Sequence, residues 1–127
     1  MSPVFRFLIV GGMTVLLDLI VYRAFAFIGV DVHAAKGIGF VAGTLFAYFA
    51  NRLYTFSAKG GAAVFMRFLA LYATTLGCNV AVNAAALFAL SSDTNAVTIA
   101  FLIATGVSAT LNFLGMKHLV FRRKAVG

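Results

Sequence analysis

Arg52 follows Asn51 at the end of an apolar segment, and fifteen uncharged residues separate it from Lys36. On a helix rising about 1.5 Å per residue the two cations stand roughly 24 Å apart. A bilayer's hydrocarbon core is about 30 Å thick. With Lys36 at one interface, the Arg52 guanidinium therefore starts somewhat inside the other. A cation at that depth either snorkels to water or meets an anion. The chemistry on offer is anion holding, because a guanidinium grips a phosphate with two parallel N–H donors. Arg6, Arg67 and Lys117 fall at similar depths if the halves of the chain repeat. The four form a candidate lipid-phosphate constellation. The plain alternative is ordinary positive-inside charge, which suffices for Arg6, Lys59, Arg122, Arg123 and Lys124.

Asp18 is the second residue with chemical potential, since it falls inside an apolar run. An ionised carboxylate at the middle of a membrane helix costs about 3 kcal/mol on insertion scales. It must be paired, protonated or wetted. Arg23 is a poor partner, because five residues rotate it to another face, and Arg52 stands toward the opposite end. Asp18 is thus a candidate proton-coupling acid, a sugar hydrogen-bond acceptor or a structural partner for an Asn.

Further polar residues recur at helical spacing: Gly11, Thr14, Asp18 and Tyr22; Thr44, Tyr48, Asn51 and Thr55; Tyr72, Thr75, Asn79 and Asn83; Thr105, Ser108, Asn112 and Gly115. Each set falls on one helix face. Such faces turn away from lipid, so a polar seam is expected. Its Thr and Ser residues read as interhelical glue. Asp18, Tyr48, Asn51, Asn79, Asn83 and Asn112 read as either glue or a lane for a hydroxyl-rich head group. Gly39 and Gly43, with Ala47, mark a close helix contact.

Four apolar segments must position these residues, at about 4–28, 34–56, 65–90 and 96–119. Each is long enough to span as a helix. The expected fold is an all-α membrane protein of four transmembrane helices in one domain, residues 1–127. The halves resemble each other: Arg6-Phe7-Leu8 recurs as Arg67-Phe68-Leu69, Asp18 matches Asn79, and the segment from Arg52 to Phe56 matches that from Lys117 to Phe121. Two helices per repeat imply parallel repeats. Counting Arg6, Arg52, Lys59, Arg67, Lys117, Arg122, Arg123 and Lys124 against Arg23 and Lys36 places both termini in the cytoplasm. With no Trp in the chain, Tyr54 and Phe121 are the expected interface anchors. Ala24-Phe25-Ala26 mimics a signal-peptidase site, but Asp18 and Arg23 interrupt the run before it, so the first helix is expected to be retained.

Composition agrees. Of 127 residues 63% are hydrophobic and 10% charged, and the mean hydropathy is +1.05. A soluble domain of this size could not cover that apolar surface. The net charge of +7 lies mostly at the ends of apolar runs, which argues topology rather than nucleic acid. One cysteine allows no internal disulfide, and His33 and His118 are far apart, so neither a metal site nor a cofactor is expected. No nucleophile, base and acid set or phosphate loop suggests catalysis.

The sequence resembles the GtrA-like family of small four-helix membrane proteins. The resemblance rests on Phe5-Arg6-Phe7-Leu8 with Gly11 and Gly12, on Asp18, on Asn51-Arg52-Leu53-Tyr54-Thr55-Phe56, and on the segment from Lys117 to Phe121. Tyr54 stands where the family often has Trp. The resemblance implies movement of a polyprenyl-phosphate-linked sugar across the cytoplasmic membrane for cell-surface polysaccharide synthesis, with a homodimer plausible for so small a bundle. A non-transporting partner of a membrane glycosyltransferase is the alternative. A proton-coupled exporter using Asp18 is a third, which the excess of cations disfavours.

Overall fold

Helix α1 (Pro3–Phe27) begins where Ser2 accepts a hydrogen bond from the Phe5 N–H and Pro3 supplies a preset φ. It continues through Ala24-Phe25-Ala26 and stops at Gly29, whose φ of 95° only glycine adopts freely. There the Val30 N–H reaches the Phe25 carbonyl and the Gly29 N–H that of Ala26, a Schellman ending. Asp31 then caps α2 (Val32–Ala50) by accepting from the N–H groups of His33 and Ala34. Helices α3 (Ala62–Ala89) and α4 (Ala96–Gly115) follow. The computed structural model describes residues 1–122, so Arg123 and Lys124 of the basic tail lie outside the described residues.

Neither α2 nor α4 ends as an α-helix. Each continues into one π-helical turn, the first at Asn51–Thr55 and the second at Met116–Val120. The Phe56 N–H bonds the Asn51 carbonyl at 2.9 Å, and the Phe121 N–H bonds that of Met116 at 2.7 Å. Those are the i to i+5 closures of a π turn, a rare geometry often found at functional sites. With them, the continuous helices are Pro3–Phe27, Val32–Thr55, Ala62–Ala89 and Ala96–Val120, all long and apolar enough to cross a membrane. Every regular element among the described residues is helical.

The chain divides into two compact units, Met1–Lys59 and Gly60–Gly127. In the first, α1 packs on α2. The buried row of α2 runs Ala35, Gly39, Gly43, Ala47, Asn51 and Thr55, a four-residue ridge. Its small residues bring the backbones together: a Cβ added at Gly39 would stand 2.6 Å from the Asp18 carbonyl oxygen. In the second unit, α3 packs on α4 through Ala96, Ala100, Ala104, Met116 and Val120, again spaced in fours, with half-buried Ser108 and Asn112 between them. Large apolar side chains such as Val15, Leu16, Val80 and Phe101 point outward, as lipid-facing residues do. Phe121 is buried and so belongs to the core rather than to an aromatic belt, whereas Tyr54 stays exposed.

Candidate functional site

The first π turn carries Arg52. Asn51 is 2% exposed and accepts a 2.8 Å hydrogen bond from the Thr55 hydroxyl, which locks the turn from inside. Arg52 is half-buried. Its guanidinium carbon lies 5.6 Å from the centre of the Tyr48 ring and 5.3 Å from that of Phe49. Its Nε is buried without a hydrogen-bond partner. No acidic side chain pairs with it among the described residues. A half-desolvated guanidinium with an unmet donor is a candidate for holding an anion, because the ring faces offset only part of its lost hydration.

Arg6 approaches the same turn from the start of α1. It donates to the Tyr54 carbonyl at 3.1 Å and its guanidinium stacks over the Tyr54 ring at 5.2 Å. A cation on the closing carbonyls of a helix is favoured by the helix dipole. Arg6 is therefore partly committed to holding the turn, although its Nε too is buried and unpartnered. In the second unit Arg67 does the equivalent, donating to the Val120 carbonyl at 3.4 Å. Lys117, at the position matching Arg52, is exposed and makes no side-chain bond among the described residues. The four cations thus form two pairs, each inside its own unit.

The members of the polar stripes are buried or half-buried except Thr105, which is exposed, and several bond within their unit. Thr75 donates to Asn112 at 2.7 Å and Asn79 donates to Ser108 at 2.9 Å, so both asparagines bridge α3 and α4. Each keeps spare capacity: the Asn112 amide N–H groups and the Asn79 carbonyl. Asn83 is half-buried and makes no side-chain hydrogen bond among the described residues. Tyr48 is buried, its ring edge-on to Phe49.

Asp18 meets a partner that helix spacing did not single out. The Lys36 ammonium stands 3.0 Å from each of its carboxylate oxygens. Folding a hairpin about the turn after α1 lays Asp18 beside Gly39, and Lys36 is only three residues away along α2. The signal lay in the hairpin's antiparallel register, not in the periodicity of either helix. The pair is neutral as a whole, which allows a carboxylate inside a membrane helix.

The model of the GtrA/DPMS transmembrane domain matches residues 6–125 of the 127-residue chain. The chain belongs to that family. Together with the four spans this makes it a multi-pass membrane protein. No solved structure matches it.

Proposed function

We propose that this chain carries a polyprenyl-phosphate-linked sugar across the cytoplasmic membrane, in support of cell-surface polysaccharide synthesis. The observation that carries the reading is Arg52: half-buried at the end of a membrane span, with an unmet Nε donor and no acidic partner among the described residues. A lipid phosphate is an anion that already lives at that depth. Membership in the GtrA/DPMS family fits polyprenyl-phosphate sugar chemistry. Moving the phosphate through hydrocarbon without compensation is costly, and Arg52 offers a charge-assisted fork in place of water. Within the second unit, Asn83 and the spare groups of Asn79 and Asn112 offer hydrogen bonds to hydroxyls. Both termini in the cytoplasm and two parallel repeats belong to the same proposal, supported by the charge count, the shared order of elements and arginine-to-carbonyl bonds that fall within one residue of each other in the repeat register.

Transfer of the lipid-linked sugar by purified protein in vesicles tests this. Arg52→Ala abolishes transfer while the protein still inserts and melts normally. Wild-type rates in that variant would remove Arg52 from the mechanism. A second reading, a non-transporting partner of a membrane glycosyltransferase, draws support from exposed Lys117, His118 and Arg122. It requires that the purified protein alone accelerate nothing and that the enzyme's presence be needed.

A further inference from the structure

Lys36 and Arg52 lie on one row of α2. Residues Lys36, Phe40, Thr44, Tyr48 and Arg52 follow each other at intervals of four. The row starts beside the buried row that contains Gly39 and Gly43. Lys36 and Phe40 are exposed, Thr44 and Arg52 half-buried and Tyr48 buried. Two cations therefore stand about 24 Å apart along the helix axis, near its two ends. They differ in one respect. Arg52 has no counter-anion, whereas Lys36 holds Asp18 as the one ion pair among the described residues. The corresponding row of α4 is Phe101, Thr105, Ala109, Phe113 and Lys117, with a cation at one end only.

We infer that Lys36 is a second resting place for a lipid-borne phosphate, a weak one, at the end of α2 opposite Arg52. The inference rests on the translocation reading. Two of the three ammonium hydrogens serve Asp18, and the third remains for a ligand oxygen. The Asp18 charge offsets most of the attraction, so an arriving phosphate is held more loosely there than at Arg52. A transported anion needs such a place, favourable enough to enter and weak enough to leave. The Asp18 backbone and Oδ1 lie against Gly39, which sets the carboxylate within reach of the lysine one turn away. The weakening is thereby built into the hairpin.

The test uses full-length protein in phosphatidylcholine vesicles with a polyprenyl monophosphate that carries a photoactivatable group next to the phosphate. Cross-linked peptides are identified by mass spectrometry. Polyprenol, which lacks the phosphate, and phosphatidylglycerol, each bearing the same group, are the control probes. In the wild type the monophosphate labels both ends of α2, strongly at Arg52 and weakly at Lys36. Asp18→Asn raises the yield at the Lys36 end several-fold. Lys36→Gln abolishes it there and leaves Arg52 labelling intact, and Lys36→Arg restores it. The double variant Asp18→Asn/Lys36→Gln carries no unmatched charge, so it folds as a neutral hairpin, yet still lacks the label. Labelling at the Lys36 end that is unchanged by Lys36→Gln, equal for phosphatidylglycerol, or absent while the Arg52 end labels, overturns the inference and spares the Arg52 reading. Absence at both ends sinks both.

Discussion

Gly39 offers the sharpest test of how the first hairpin is built. A methyl group there would lie 2.6 Å from the Asp18 carbonyl oxygen, 2.7 Å from its Oδ1 and 3.2 Å from the Tyr22 Cβ. The nearest of these is backbone, so relief requires α1 and α2 to separate. Reaching an ordinary contact of 3.4 Å means a shift of about 0.8 Å. Overpacking of this kind costs about 1–3 kcal/mol, and the upper half of that range applies because the same shift disturbs the Asp18–Lys36 pair. Internal controls come with the fold. At Gly43 the nearest atoms would be 3.3–3.4 Å away, so Gly43→Ala costs little. At Gly115 the obstacle is the flexible Leu71 side chain, which gives way, so the cost falls between. At Gly37 nothing lies within 4 Å, and alanine gains about 0.5–1 kcal/mol from lost backbone freedom. Reversible unfolding in mixed micelles measures all four. The expected order of destabilisation is Gly39, Gly115, Gly43, then Gly37 with a net gain. A Gly39→Ala protein as stable as Gly37→Ala would refute the close approach on which the hairpin argument stands.

Other outcomes follow from the same geometry. Lys36→Gln alone leaves the Asp18 carboxylate unmatched inside a span and costs about 2–3 kcal/mol, Asp18→Asn costs less because Lys36 is exposed, and the double variant recovers most of the Lys36→Gln loss; a double-mutant cycle by unfolding shows this, and additive losses would deny the pair. Thr75→Val and Asn112→Leu each cost about 0.6–1.7 kcal/mol and together cost little more than one alone, because they share one 2.7 Å bond; melting temperatures of the three proteins decide it. Arg6→Gln frees the Tyr54 carbonyl and costs about 1 kcal/mol, with faster hydrogen exchange confined to the first π turn; unchanged exchange there would show that Arg6 does not hold it.

The apolar runs and their lengths made four membrane helices legible before any fold was known, since hydrocarbon permits few other ways to satisfy a backbone. Polar spacing showed which faces turn inward, and Thr75, Asn79 and Asn112 do face a neighbouring helix. Residue type and depth singled out Arg52. Three things needed the tertiary structure. The π turns leave no mark in local sequence, because their i to i+5 bonds compete with α-helical ones by margins that packing against α1 or α3 decides. The division of the four cations into carbonyl-bonded Arg6 and Arg67, ring-stacked Arg52 with its unmet Nε donor and exposed Lys117 depends on which helix end each arginine can reach. And Lys36 becomes the partner of Asp18 only when the hairpin closes, since residues eighteen apart meet through chain reversal rather than through helical period. Sequence sets what must be hidden from lipid; the antiparallel register of each hairpin sets which hidden groups meet.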